Sequence, residues 1–144
     1  MSRPSWDEWA LGLAAAVAAR GSCRRRRVGC VLLGPRNDVV SVGYNGAPAG
    51  RPHCQHDGTE TRCTTAIHAE RNAIAYAARE GRATDGATLY VTHAPCLDCA
   101  TVIQPAGIVR VVYAEPYGPP SGVLWLMDNG VQVQRLAEAT EAAA

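Results

Sequence analysis

The sequence predicts an α/β protein in which helices cover both faces of a mixed β-sheet. Segments typical of strands alternate with segments typical of helices after an opening hairpin, and the strands are short and apolar, as in a sheet buried on both sides. The chain has 144 residues, of which 47% are hydrophobic and 19% charged. These values predict a single globular domain over residues 1–144.

The first element is a helix that begins after Ser5 and ends near Gly21. Ser5 and Glu8 have the spacing of a capping box, in which each side chain binds the other end of the first turn. Four large apolar residues then recur at helical spacing, and we expect them to face the core. They are Trp6, Trp9, Leu13 and Val17.

The remaining elements follow from apolar runs and from the glycines and prolines that end them. The predicted strands are residues 28–33, 39–44, 88–93, 108–113 and 131–136. The predicted helices are residues 68–80, a short helix from residue 96 that Pro105 and Gly107 end, and a helix through residues 124–127. Residues 137–144 are predicted to be a frayed tail, and residues 45–67 a long loop of the kind that is usually functional or held by a ligand.

Charge and cysteine content narrow the functional classes. The net charge of +1 argues against binding to nucleic acid through bulk charge. The apolar run 10–19 is too short for a membrane span, and the acidic Asp7 and Glu8 before it do not fit a secretory signal. Six cysteines without a signal peptide favour a cytoplasmic protein whose thiols bind metal or do chemistry.

Three residues have the types and spacing of zinc ligands. Cys96 and Cys99 lie three residues apart at a predicted helix start, so both thiols project from one face, and the helix N-terminus favours their thiolate forms. His68, at the start of another helix, can be the third ligand. Three protein ligands leave one coordination position for water, as in catalytic zinc sites.

Glu70 follows His68 by two residues in the same helical turn. From there its carboxylate can exchange a proton with a zinc-bound water, whose pKa the metal lowers. The combination of His-x-Glu and Pro-Cys-x-x-Cys is a described signature of zinc nucleobase deaminases. The alternative is a closed structural zinc site with a fourth cysteine, in which Glu70 is only a carboxylate at a helix N-terminus.

Six segments together resemble the deoxycytidylate (dCMP) deaminase branch of the cytidine deaminase superfamily. They are residues 68–74 (HAERNAI), 88–92 (TLYVT), 95–100 (PCLDCA), 43–48 (GYNGAP), 6–8 (WDE) and 22–29 (SCRRRRVG). The resemblance spans residues 4 to 136. It implies a three-layer α/β/α sandwich around a five-stranded sheet, often assembled into hexamers.

The resemblance also implies a reaction, which is the hydrolysis of dCMP to dUMP and ammonia. In that reaction zinc hydroxide attacks C4 of cytosine, and Glu70 carries the proton to N3 and then to the departing amine. The family's regulation implies dCTP, with Mg²⁺, as an activator and dTTP as an inhibitor. Residues that would border the nucleotide are Asn45 at the sugar, Arg26, Ala69 and Tyr117.

The arginine run 24–27 has two interpretations. It is either a solvated basic patch, which is the usual role of a charge run, or a source of phosphate contacts through Arg25 or Arg26. His93 likewise either borders the pyrimidine or ends its strand in solvent.

The resemblance further implies a second, structural zinc in some relatives, with cysteines at the positions of Cys23 and Cys54. Our hypothesis adds Cys63 and His56 as ligands, with His53 in reserve. The alternative is free thiols and surface histidines. Cys30 lies between apolar strand residues and is predicted to be a buried, inert thiol.

Other functions are also open from sequence. The chain could deaminate another or a modified cytosine nucleotide or nucleoside. It could also be a zinc-stabilised module that binds nucleic acid through its arginine run, although a binding module has no need of Glu70 as a proton shuttle.

Overall fold

The computed structural model describes residues 2–23, 25–55 and 63–136, so the predicted tail, residues 137–144, lies outside the described residues. The elements are α1 (Trp6–Ala18), β1 (Gly29–Leu33), β2 (Val39–Tyr44), α2 (Ala69–Arg79), β3 (Thr88–His93), α3 (Leu97–Ile103), β4 (Arg110–Glu115), α4 (Ser121–Asp128) and β5 (Gln132–Arg135). None of these helices is long and apolar enough to cross a membrane.

The five strands form one mixed sheet in the order β2-β1-β3-β4-β5. The hairpin β1–β2 and the pair β1–β3 are antiparallel, whereas β3, β4 and β5 run parallel. A parallel connection needs a crossover, and α3 and α4 supply the two crossovers. The predicted five-stranded mixed sheet is confirmed, although β4 begins two residues later than the apolar run from residue 108 indicated.

Alternate residues of each strand pack against opposite helix layers. One layer is α1, which covers Val31, Leu33, Tyr90, Val112 and Ala114. The other layer contains α2, α3 and α4, which cover Cys30, Leu32, Leu89, Val91 and Val111. This arrangement is the three-layer sandwich expected from the sequence.

The predicted core stripe of α1 is wrong for its two tryptophans, whereas Leu13 and Val17 are partly buried and pack against the core. Trp6 and Trp9 are 56% and 39% exposed, and the buried residues of α1 are Ala10, Leu11, Ala14 and Ala18. The reason is close packing, since a Cβ at Gly29 on β1 would overlap the Ala14 carbonyl oxygen. Only small side chains fit between α1 and β1, so the two tryptophans turn outward and pack edge to face.

The start of α1 is capped as predicted, with a small difference. The Ser5 hydroxyl accepts a hydrogen bond from the Glu8 backbone N–H at 3.1 Å. Glu8, however, accepts from the Ser5 hydroxyl at 3.2 Å rather than from a backbone N–H. Farther along the chain, Gly81 ends α2 with a positive φ of 67°.

Candidate active site

The site lies where two helices begin next to each other. His68 is the N-cap of α2 and Cys96 is the N-cap of α3, and neither side chain caps its own helix. Both side chains are therefore available for other partners. The two N-termini also direct their positive dipole ends toward the same place, which favours anionic groups there.

Helix α2 is held against the end of β2 by close backbone packing. A Cβ at Gly43 would overlap the Ala69 carbonyl oxygen, so this approach requires glycine. The buried Asn72 amide donates to the Tyr44 carbonyl at 2.9 Å, and the Ser41 hydroxyl donates to the Ala73 carbonyl at 2.6 Å. These bonds fix the first turn of α2, which carries Glu70.

The predicted ligands His68, Cys96 and Cys99 meet at this point. The His68 Nδ1 atom lies 3.2 Å from the Cys99 Sγ atom and 3.6 Å from the Cys96 Sγ atom. All three potential ligand atoms lie within 4.8 Å of one another. Two thiols and one imidazole match the donor set that zinc prefers, so these residues fit the metal.

The electrostatics of the cluster favour a thiolate. The Cys99 side chain and His68 hydrogen-bond to Cys96 and lower its pKa to about 4, although burial opposes the shift. The hydrogen bond to the same thiolate raises the pKa of Cys99, and burial raises it further. The hydrogen bond to Cys96 raises the pKa of His68. The cluster thus contains a thiolate at Cys96, and a thiolate is a preferred ligand of zinc.

Glu70 is buried beside the cluster, with only 4% of its surface exposed. Burial raises the pKa of its carboxyl group above the usual value. A carboxyl with a raised pKa holds a proton more readily than an exposed one, which suits a group that both accepts and donates protons.

Glu70 and His68 open into a cavity of about 390 Å³. Its lining includes all four residues predicted to border a nucleotide, which are Asn45, Arg26, Ala69 and Tyr117. His93 and Arg25 line it as well, so the cavity brings together a predicted phosphate contact, a predicted sugar contact and two of the predicted metal ligands, His68 and Cys96.

Asn45 is buried and makes two internal hydrogen bonds. Its side-chain carbonyl accepts from the Val28 N–H at 2.8 Å, and its amide donates to the Arg26 carbonyl at 2.6 Å. Asn45 therefore fixes the backbone before β1, in addition to lining the cavity.

Three of the four residues predicted for a second zinc also meet. Sulfur atoms of Cys23, Cys54 and Cys63 lie within 4.8 Å of one another. The fourth residue, His56, lies outside the described residues, and the reserve ligand His53 is exposed. Cys30 is fully buried in the core, as predicted, and burial raises the pKa of its thiol.

Arg26 and Arg27 of the arginine run also line a second cavity, of about 570 Å³. Its basic lining residues are Arg20, Arg26, Arg27, Arg51 and His53. Arg26 lines both cavities.

Thr92 is a site residue that sequence reasoning did not identify. It is buried, its hydroxyl oxygen accepts from the Gly29 N–H at 3.2 Å, and the same oxygen lies 2.8 Å from the His93 Nδ1 atom. Asn72 was also missed, although it belongs to the segment HAERNAI. A polar residue inside an apolar strand or motif is the signal that could have indicated both.

Comparison of this sequence with known proteins shows the family to which it is similar. Residues 4–115 match the cytidine and deoxycytidylate deaminase zinc-binding region. The chain is 45% identical to the deoxycytidylate deaminase of Mycobacterium phage D29 over 128 residues, which cover 78% of this chain and 97% of that protein. It is 39% identical to the deoxycytidylate deaminase of Schizosaccharomyces pombe, covering 92% of this chain but only 44% of that longer protein.

A solved structure shows the same architecture. The dCMP deaminase of cyanophage S-TIM5, crystallised with dCMP and dUMP, superposes with a TM-score of 0.86. It is 29% identical, and the match covers 94% of this chain and all of that one. From the matched region, which contains both halves of the predicted zinc motif, we conclude that the chain belongs to the cytidine and deoxycytidylate deaminase family.

Proposed function

We propose that this protein hydrolyses dCMP to dUMP and ammonia. The observation that carries the proposal is the buried Glu70 carboxyl beside the His68–Cys96–Cys99 cluster, at a cavity that Arg26 also lines. The cavity volume of about 390 Å³ suits a ligand the size of a mononucleotide. The phage and yeast relatives are both named deoxycytidylate deaminase, which favours dCMP over other cytosine compounds as the substrate.

His68, Cys96 and Cys99 would hold the zinc ion of the site. When bound there, zinc acts as a Lewis acid that lowers the pKa of a coordinated water toward neutrality. The thiolate form of Cys96 is favoured before any metal binds, whereas the pKa of Cys99 is raised, so Cys99 would lose its proton when the metal binds.

Glu70 moves the protons of the reaction. Its carboxylate accepts a proton from the attacking water and delivers it to N3 of cytosine. The same carboxylate then takes the second proton from the hydroxyl now bonded to C4 and gives it to the amine, so that the C4–N bond breaks, ammonia leaves and the oxygen remains as the C4 carbonyl. Burial raises the pKa of Glu70, which makes its carboxyl a better proton acceptor than an exposed carboxylate and supports its role as the base.

The other cavity residues would bind the rest of the nucleotide. In this proposal Arg26, with Arg25 beside it, binds the 5′-phosphate, because guanidinium groups pair with phosphate oxygens in a bidentate manner. Asn45 faces the sugar and Ala69 the base, and Tyr117 forms an aromatic wall. The location of all these residues in one cavity supports this assignment.

We also propose a second, structural zinc at Cys23, Cys54 and Cys63, with His56 as the fourth ligand. The close approach of three thiols from separate parts of the chain supports it. A metal there would hold the long loop against the segment that carries Arg25 and Arg26, since Cys23 and Cys63 also line the cavity.

Regulation and assembly complete the proposal. Activation by dCTP with Mg²⁺ and inhibition by dTTP would use the arginine-lined second cavity, whose charge suits a triphosphate.

A homo-oligomer, a hexamer by the family resemblance, would cover apolar side chains that are exposed in the single chain. Leu124 and Met127 are each 54% exposed. We place the enzyme in the cytoplasm because none of its six cysteines, all within the described residues, forms a disulfide.

The direct test is a substrate panel. Purified zinc-loaded protein should release ammonia from dCMP with a higher kcat/KM than from deoxycytidine, CMP or dCTP. Faster turnover of a nucleoside or of another pyrimidine would change the substrate assignment. Release of ammonia from none of them, with and without dCTP and Mg²⁺, would favour a zinc-stabilised binding module instead.

A further inference from the structure

Tyr117 contacts both Arg26 and His93 at the wall of the active-site cavity. The Arg26 guanidinium carbon lies 4.2 Å from the centre of the Tyr117 ring, over its face. The His93 ring lies edge to face with the Tyr117 ring, with the ring centres 6.3 Å apart and the planes at 79°. The three side chains are therefore linked by contacts through the Tyr117 ring, and we call this group the Arg26–Tyr117–His93 stack.

The sheet anchors one end of this stack. His93 is the last residue of β3, and its Nδ1 atom lies 2.8 Å from the Thr92 hydroxyl oxygen, which in turn accepts the Gly29 N–H. Burial and the positive charge of Arg26 lower the pKa of His93, so its ring is neutral at neutral pH. Tyr117 thus contacts a cation over its ring face and also contacts a fixed, uncharged ring.

The other end of the stack holds a side chain that would otherwise be mobile. Arg26 is exposed and lies between α1 and β1, outside both elements. Its carbonyl is held by the Asn45 amide, but a long arginine side chain still has several free torsions. Stacking on an aromatic face restricts those torsions and leaves the N–H groups at the edge of the guanidinium free.

We propose that Tyr117 is a positioning residue that holds the Arg26 guanidinium toward the cavity, and that the site thereby selects a nucleotide with a 5′-phosphate over the corresponding nucleoside. The inference rests on the proposed function and goes beyond it, since Tyr117 acts through Arg26 instead of binding the substrate itself. The competing role is direct stacking of Tyr117 on the pyrimidine, which would serve nucleotide and nucleoside alike.

The test compares Tyr117→Leu, Tyr117→Phe, Arg26→Gln and the double variant Arg26→Gln/Tyr117→Leu. The matched control is Tyr76→Leu, because Tyr76 also carries an arginine over its ring, Arg79 at 4.9 Å, but does not line the cavity. The readouts are KM and kcat for dCMP and for deoxycytidine, with the thermal midpoint of each variant as a check on folding.

For Tyr117→Leu we expect KM for dCMP to rise roughly three- to thirtyfold, the range of a cation–π contact, with a much smaller change in kcat. The ratio of kcat/KM for dCMP to that for deoxycytidine should fall by the same factor. Tyr117→Phe should retain most of the ratio because it keeps the ring. In the Arg26→Gln background, Tyr117→Leu should cause no further loss.

Three results would overturn the inference. One is an equal loss for dCMP and deoxycytidine, which indicates base stacking. Another is a double variant in which the two effects multiply, which shows that Tyr117 does not act through Arg26. The third is a similar loss of the ratio in Tyr76→Leu.

Equilibrium binding separates this inference from the proposed reaction. Calorimetry with dUMP and deoxyuridine needs no turnover, so it tests the stack even if ammonia release identifies a different substrate. Tyr117→Leu should weaken dUMP binding by the same three- to thirtyfold and so reduce the preference for dUMP over deoxyuridine. A wild-type protein without that preference would contradict the inference.

Discussion

The Nδ1 atom of His68 and the Sγ atom of Cys99 lie 3.2 Å apart, although 31 positions separate them in the sequence. Their proximity depends on two helix starts that the sheet brings together, α2 packed on β2 and α3 directly following β3. Each helix presents ligands at its first turn. The metal centre is therefore a product of the fold rather than of one continuous motif.

This relationship predicts the outcome of removing a ligand. Cys99→Ala should lose the catalytic zinc and all measurable turnover, because two protein ligands do not hold zinc firmly in competition with a chelator. Cys30→Ala is the matched control, since Cys30 is equally buried but belongs to neither thiol cluster of the described residues. Metal analysis after dialysis against a weak chelator should show one zinc fewer for Cys99→Ala than for Cys30→Ala. Equal zinc contents would contradict the assignment of Cys99.

The second thiol cluster predicts a metal stoichiometry of two zinc ions per chain. Cys54→Ser should reduce it to one and lower the thermal midpoint, while the remaining zinc still supports some turnover. Elemental analysis of wild type and variant, each normalised to protein concentration, measures this directly. One zinc per wild-type chain would show that Cys23, Cys54 and Cys63 hold no metal.

An ion pair far from the site predicts a pH-dependent stability. Arg110 donates two hydrogen bonds to the Asp7 carboxylate, at 2.8 and 2.7 Å, and the Tyr90 hydroxyl donates a third at 2.7 Å. The Arg110 hydrogen bond is the main reason that the pKa of Asp7 is lowered. The folded state therefore stabilises the ionised carboxylate, and this contribution is complete above the unfolded pKa of about 4.

Asp7→Asn should lower the free energy of unfolding by about 1–3 kcal/mol at pH 7. The difference from wild type should shrink as the pH falls below about 4 and through the folded pKa, because wild-type Asp7 is then protonated as well. Chemical unfolding at several pH values measures both effects. The exposed Asp128, changed to asparagine, serves as the control and should cause no such loss. A difference that stays constant down to pH 2 would refute the ion-pair explanation.

The sequence was sufficient to predict the strands, the helices and the zinc motif, because these depend on local signals. Periodicity, glycines and prolines mark the elements, and the His-x-Glu and Pro-Cys-x-x-Cys spacings are short. The buried stripe of α1 was not predictable from periodicity alone. It depends on how closely α1 approaches Gly29, which favours alanine over tryptophan at the contact.

Long-range pairings were also outside the reach of sequence reasoning. Asp7 and Arg110 are 103 positions apart, and nothing local to either residue indicates the other. The same holds for Arg26 and Tyr117, which meet only because the loop after β4 crosses the cavity beside the arginine run. Sequence identified both as nucleotide neighbours by resemblance, but their mutual contact is a structural finding.

Ammonia release from dCMP by zinc-loaded Glu70→Gln, measured beside wild type at equal zinc content, tests the central claim most directly. Glutamine keeps the size of the buried side chain but cannot transfer the proton, so kcat should fall on the order of a hundredfold to ten-thousandfold while zinc stays bound. The control Glu80→Gln, at the exposed end of the same helix, should retain wild-type kcat. Turnover by Glu70→Gln within a few fold of wild type would contradict the account.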